Sequence, residues 1–215
     1  MLAKKPKKVA FKHNNSGLYM LLGHIKMLFC YIIITNMRIY ISGYMYSGKS
    51  TVGRRLARRL GYEFLDTDAM FENRFRISIH DFLHRYDEPL FRRLEHDILL
   101  STAEKDNCVV STGGGTPCYS DNMDFMCAQG ITVYLEASTD LIMSRHAKSK
   151  KVRPLLEGMS RYELEAFVKK QLEARRPYYE RAMLRFGAED ISIDAICEAL
   201  KKATTDISSI PQVCQ

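Results

Sequence analysis

From residue 37 onward the chain alternates short apolar runs with longer segments whose apolar residues recur every three or four positions. Arg38 to Ser42, Tyr62 to Leu65, Cys108 to Ser111, Ile131 to Leu135 and Met183 to Phe186 read as five strands. Between them lie helical patterns with recognisable starts and stops. Ser50 to Leu60 places Val52, Leu56 and Leu60 on one inner stripe, turns Arg54, Arg55, Arg58 and Arg59 to the other side, and ends at Gly61, a residue suited to a left-handed cap. The four arginines are expected to be a solvated face without a ligand. Ser78 is placed to cap a short helix, Glu88 opens another, and Ser138-Thr139-Asp140 starts a third. Ser160 and Glu163 have capping-box spacing at the head of a long helix reaching about Arg175, which Pro177 is expected to break or bend. A closing helix runs from about Ser192 to Lys202. Strands alternating with helices describe one α/β domain, and 46% hydrophobic residues in a chain of 215 suffice for one core.

The first 36 residues fall outside this pattern. Met1 to Lys12 is basic and polar, and Leu18 to Ile34 is apolar but interrupted by Gly23, His24 and Lys26, making a poor membrane span against the ~20 apolar residues required. An A-x-A-like cleavage signal is also missing. The simplest division is an extension at 1–36, an upstream start assigned in error, then a domain at 37–204 and a tail at 205–215; a membrane anchor is the alternative.

Charge and cysteines narrow the partners. Thirty-two Lys and Arg against 25 Asp and Glu give a net charge of +7, which suits anionic ligands. No basic stripe interleaved with aromatics is present, so phosphorylated small molecules are favoured over nucleic acid. Cys30, Cys108, Cys118, Cys127, Cys197 and Cys214 form no C-x-x-C pair, which points to a reduced, cytoplasmic protein with packing or idle thiols. His80 and His84 share a helical face but have no third ligand, so ordinary helix surface is the expectation.

The chemistry begins at Gly43-Tyr44-Met45-Tyr46-Ser47-Gly48-Lys49-Ser50, which matches G-x-x-x-x-G-K-[ST] between a strand and a helix. Glycines let backbone N–H groups turn toward an anion, the helix start adds partial positive charge, Lys49 adds a full one, and Ser50 offers a hard oxygen to Mg2+. Asp66-Thr67-Asp68 follows the second strand, where strand carboxyl ends of a parallel sheet face the ligand crevice. Alternation along the chain is expected to separate the two carboxylates, one toward metal-bound water and one toward an acceptor hydroxyl. Arg92 and Glu95 share a helix face, with a surface ion pair as the ordinary reading, and Gly113-Gly114-Gly115 permits a close backbone approach to a ligand. Arg145 to Gly158 is polar and basic around Val152-Arg153-Pro154-Leu155-Leu156, as a mobile cover carrying an arginine would be.

The ordered set of phosphate loop, Asp66-Thr67-Asp68, Phe91-Arg92-Arg93-Leu94-Glu95, triple glycine, Arg153-Pro154-Leu155-Leu156 and Arg175-x-Pro-x-Tyr179 resembles the shikimate kinase family from about Met37 to Lys202. The resemblance implies a nucleoside-monophosphate-kinase-like P-loop fold, with a five-stranded parallel sheet in the order 2-3-1-4-5, a lid and a substrate-binding subdomain. It also implies transfer of the γ-phosphate of ATP to the 3-hydroxyl of shikimate, by a cytoplasmic monomer that engages no nucleic acid or membrane. Carried over by motif, Gly43, Ser47, Gly48, Lys49, Ser50, Thr51, Arg145 and Arg153 bind the nucleotide, with Ser50 and, through water, Asp66 on Mg2+. Asp68, Arg92, Glu95, Gly113, Gly114, Gly115 and Arg175 bind shikimate, Glu95 by fixing the arginine network. Lys49, Asp68 and Arg153 act on the transfer, and Asp68 serves either as base or only to position the acceptor.

Two turns depart from the family. Arg76 and Asp87 stand where glycines are usual, and Arg suits a left-handed turn less well than Asp. Arg145 is one residue farther from Arg153 than the pattern expects, which bears on its contact with the adenine side. A gluconate-kinase-like enzyme would instead carry Asp-Gly-Asp with a nearby His and no paired carboxylate-binding arginines. A non-catalytic relative would have lost Lys49, Asp68 or Arg153.

Overall fold

The computed structural model describes residues 37–149 and 158–209, with side chains through 205. Five strands, β1 (Arg38–Ser42), β2 (Glu63–Asp66), β3 (Cys108–Ser111), β4 (Ile131–Glu136) and β5 (Leu184–Gly187), form one sheet in the order β2-β3-β1-β4-β5. All four pairings are parallel, with Ile39 of β1 opposite Val109 of β3 and Ile131 of β4. The connections carry α1 (Lys49–Leu60), α2 (Thr67–Phe75), α3 (Ile79–Arg85), α4 (Glu88–Ser101), α5 (Asn122–Gln129), α6 (Thr139–Lys148), α7 (Arg161–Tyr179) and α8 (Ile193–Ser209).

Both sheet faces are covered. Alternate residues of β1 serve opposite layers: Ile39 and Ile41 join Val52, Leu56, Ile196 and Leu200 from α1 and α8. Tyr40 instead joins Leu99, Met123 and Met126 from α4 and α5. Burial on both sides explains why the inner strands are mostly apolar rather than alternating, each buried apolar side chain contributing about 2 kcal/mol relative to exposure. A separate aromatic knot locks α2, α3 and α4 together, with the Phe71 ring 5.1 Å from those of both Phe82 and Phe91. This knot matters for function because α2 and α4 carry Asp68, Arg92 and Glu95.

Several local expectations hold. Ser78, Ser138 and Ser160 cap α3, α6 and α7, the last in a capping box with Glu163. Others change. Helices α2 and α5 were not evident in the sequence pattern, and α8 continues beyond Lys202 to Ser209. Helix α7 runs through Pro177 to Tyr179. A proline there deletes one bond in the last turn, while the Glu180 N–H still bonds the Arg176 carbonyl at 2.9 Å and fully buried Tyr179 anchors the end.

Arg76 does close α2 in the left-handed region, at φ 55° and ψ 32°. Asp87 does not: it is extended at φ −79° and ψ 157° and caps α4 by accepting from the Leu90 N–H at 2.7 Å. Arg145 to Lys148 belong to the last turn of α6, not to a loop. Arg153, with the rest of the basic segment at 150–157, lies outside the described residues, as do 1–36 and 210–215. Among the described residues no helix is long and apolar enough to cross a membrane.

Candidate active site

Parallel strands bring their carboxyl ends to one edge of the sheet, and the predicted residues that are described gather there. The loop after β1 turns through left-handed φ values at Gly43, Tyr46 and Gly48 and delivers Lys49 as the first residue of α1. Helices α2, α3, α4, α6 and α7 each have a side chain capping their first turn. Gly48 supplies none to α1, whose first turn also lacks an acidic residue. Its N–H groups are thus left for an anion. The Lys49 ammonium is buried and donates to the Tyr44 carbonyl at 2.9 Å, folded over the loop it would share with phosphates.

Ser50 and Asp66 form the second part. The Ser50 hydroxyl donates to Asp66 Oδ2 at 2.7 Å, and Asp66 Oδ1 accepts from the Asp68 and Ala69 N–H groups at 3.1 and 3.3 Å. Asp66 ends β2 and caps α2, so Asp68 lies in a helical first turn. The separation of the two carboxylates therefore comes from a strand-to-helix turn, not from alternation along an extended chain. No cluster of three or more His, Cys, Asp or Glu suited to a metal occurs among the described residues. One hydroxyl and one carboxylate fit Mg2+ bound mainly through water and phosphate oxygens, a habit of this hard cation. The His80 and His84 rings lie 4.5 Å apart between centroids and are tilted by 56°, without a third ligand among the described residues.

The acceptor side is an ion network around a cavity of about 100 Å³, lined by Met45, Asp68, Arg92, Glu95, Arg175, the three glycines and apolar residues of α3 and α4. Arg92 donates through Nη1 to Glu95 Oε2 at 2.6 Å, and through Nε and Nη2 to Glu88 Oε1 at 3.2 and 3.0 Å. Glu95 is 4% exposed, and its other oxygen accepts from the Thr116 hydroxyl at 2.6 Å. It is therefore a buried anchor, not the surface ion pair its spacing suggested. Burial pushes the Glu95 carboxyl above its ordinary range, opposed by Arg92 and the Thr116 hydrogen bond. Burial works the other way on Arg92, but Glu95 and Glu88 outweigh it and hold the guanidinium charged.

The glycines lining this cavity are also crowded by the protein itself. A Cβ at Gly113 would stand 2.5 Å from Glu95 Oε1, and one at Gly115 would stand 2.7 Å from Arg92 Nη2. One at Gly114 would lie 3.2 Å from the Met45 backbone nitrogen. The run thus makes room first for the protein's own network and for close approach of the phosphate loop. Arg175 reaches the same cavity from α7, its guanidinium over the Tyr44 ring at 5.3 Å. One turn on, Tyr179 donates to the Gly114 carbonyl and stacks on Tyr134 at 5.1 Å. Burial drives its phenol well above the usual range.

The nucleotide side is a cavity of about 480 Å³ beyond the phosphate loop, lined by Ser47, Gly48, Thr51, Arg145 and Glu189 among others. Arg145 donates to the carbonyls of Tyr46, Ser47 and Ala188 at 2.8, 2.9 and 2.9 Å, tying the loop to the turn after β5. Arg54, Arg58 and Arg59 are a solvated face, but Arg55 lines this cavity, which corrects the view that all four arginines lie away from the phosphates. Sequence reasoning missed Thr116 and Tyr46 as site residues and assigned Tyr179 no role. Only Tyr179 had a signal, its fixed spacing from Arg175.

Comparison with known proteins agrees with this geometry. A family model described as shikimate kinase matches residues 45–205. The chain is 38% identical over 170 residues to the shikimate kinase of Parabacteroides distasonis, covering 79% of this chain and 98% of that one. It is 36% identical over 164 residues to that of Aquifex aeolicus, covering 76% and 94%. The crystal structure of the Bacteroides thetaiotaomicron shikimate kinase aligns with TM-score 0.70 at 36% identity, covering 81% of this chain and 99% of that one. The Acinetobacter baumannii shikimate kinase, solved in complex with shikimate, aligns with TM-score 0.72 at 29% identity, covering 84% and 99%. With the sheet order, the phosphate loop and the paired arginines all in place, the chain belongs to the shikimate kinase family, enzymes that phosphorylate shikimate with ATP.

Proposed function

We propose that this chain moves the γ-phosphate of ATP to the 3-hydroxyl of shikimate with the division of labour described below, giving shikimate 3-phosphate and ADP. The observation that carries it is the convergence of Asp68, Arg92 and Arg175 on one small cavity whose wall includes Met45 of the phosphate loop. Two guanidinium groups suit a carboxylate, a facing carboxylate suits ring hydroxyls, and the shared wall brings the acceptor beside the phosphates.

Arg92 presents its Nε and Nη2 edge to Glu88, an exposed carboxylate that the substrate carboxylate replaces. Glu95 positions Arg92, and Tyr179 fixes the carbonyl of Gly114. Lys49 leaves the Tyr44 carbonyl for the β- and γ-phosphates. Ser50 and Asp66 would hold Mg2+, which when bound offsets phosphate charge. In a loose phosphoryl transition state the hydroxyl proton departs late, so Asp68 serves chiefly to aim the hydroxyl oxygen along the line of the breaking bond. Arg153 is assigned to the charge that develops on the transferring group. Met37 begins the domain: its carbonyl already accepts from the Cys108 N–H, and its side chain packs on the core. We assign the working unit as a single chain in the cytoplasm, on the family resemblance and on cysteines that form no C-x-x-C pair.

Coupled ADP release with shikimate, gluconate and AMP as acceptors, in the presence and absence of Mg2+, tests the assignment. Turnover should require Mg2+ and be far faster with shikimate; equal rates with gluconate would overturn it.

A further inference from the structure

Tyr46 is the residue of the phosphate loop whose conformation its own side chain opposes. At φ 65° it sits in the left-handed region, which a tyrosine adopts only when its surroundings hold it there. Two consecutive residues of α6 supply the hold. Arg145 Nη1 donates to the Tyr46 carbonyl at 2.8 Å, and His146 Nδ1 lies 3.1 Å from the Tyr46 hydroxyl. The two rings also meet edge to face, with centroids 5.4 Å apart and planes at 74°. Tyr46 is therefore gripped at its carbonyl by one side chain and at its phenol by the next, and it is one of the residues lining the cavity beyond the phosphate loop. His146 faces a different space, a groove of about 710 Å³ between α6 and α7.

We propose that Tyr46 and His146 are positioning residues for the nucleotide: their contact sets the left-handed turn that aims the loop's N–H groups at the phosphates, so ATP affinity depends on α6. The ring contact and the hydroxyl–imidazole hydrogen bond compensate for the unfavourable backbone when the tyrosine stands against the helix. Ser47, Gly48 and Lys49 follow directly in the chain, so a rotation at residue 46 displaces every donor after it. The acceptor cavity does not contain Tyr46 or His146, so the effect should be confined to the nucleotide. The proposal rests on the reading of residues 43–50 as the phosphate loop.

Tyr46→Phe keeps the ring and the backbone and deletes only the hydroxyl; His146→Phe keeps an edge contact and deletes the nitrogen. Calorimetric titration with Mg-ADP should show each variant binding about threefold to tenfold more weakly, the worth of one hydrogen bond of ordinary strength. The KM for ATP should rise in parallel, with the KM for shikimate changed by less than about twofold and Tm by less than about 2 °C. The double variant should bind no more weakly than either single one, because the two share one contact. Tyr46→Gly, which removes the backbone conflict, should still weaken Mg-ADP binding. Unchanged ADP affinity, additive effects in the double variant, or a parallel rise of both KM values with a falling Tm would each overturn the proposal. Failure of the unaltered protein to bind Mg-ADP would overturn the phosphate-loop reading itself, and this inference with it.

Discussion

The two halves of the site are built from different materials. The nucleotide half is made mostly of backbone: N–H groups at an uncapped helix start, loop carbonyls tied by Arg145, and glycines with left-handed φ. The acceptor half is made of charged side chains from α2, α4 and α7, arranged around a glycine run that yields them space. A backbone cradle is a local object, so eight consecutive residues encode most of it. A side-chain network exists only when distant segments meet, and each member constrains its neighbours. The first half should therefore fail in rate or nucleotide affinity, the second in acceptor affinity and pH response.

The largest separation is expected from the two arginines assigned to opposite halves. Arg153→Ala should lower kcat by a factor on the order of 10² or more with little change in shikimate binding, since its charge is directed at the transferring group. Steady-state kinetics beside direct shikimate titration check this, and an unchanged kcat would remove Arg153 from the transfer step. Arg92→Ala should do the reverse, raising the KM for shikimate by about tenfold or more while Mg-ADP affinity holds. It also leaves buried Glu95 without its cation, so Tm should fall as well.

A sharper comparison uses pH. Glu95 takes up a proton at a higher pH than an exposed carboxylate, because burial raises its folded pKa above the unfolded value. Stability linked to this proton is fully present below the unfolded pKa and lost as pH rises through the folded one, so acid loosens the arginine anchor without this group destabilising the fold. The KM for shikimate should accordingly climb as pH falls through the raised pKa of Glu95 while the KM for ATP stays flat. Glu95→Gln should abolish that climb and leave the KM for shikimate high at every pH. Parallel acid limbs for both substrates would break the distinction between the halves.

The smallest effects concern the frame. Arg76→Gly should raise Tm by about 2 °C by relieving a left-handed arginine at the end of α2, with kinetics unchanged. A protein beginning at Met37 should keep its Tm and activity, as differential scanning calorimetry and the ADP assay would show; a collapse of either would mean that residues 1–36 pack on the domain.

How much was legible follows the same division. The five strands and the capped starts of α3, α6 and α7 are short-range matters of apolar runs and side-chain oxygens, and they lie within a residue or two of their expected places. Helix α2 was hidden because its chain reads as a polar turn, while its apolar residues Met70, Phe71 and Phe75 find their partners on α3 and α4. Pro177 misled because a local rule against proline in helices was overruled by the burial of Tyr179 two residues later.

The sequence by itself determined the phosphate-loop motif and the parallel α/β plan, and it named as candidates the acceptor residues that line one cavity, since these depend on neighbours in the chain and on motif order. Only the tertiary structure decided that Glu95 is a buried anchor, that the glycine run makes room for Arg92 and Glu95, and that Tyr46 is held from α6. Each of those facts depends on which distant groups share a few ångströms of space, and packing fixes that where periodicity along the chain cannot.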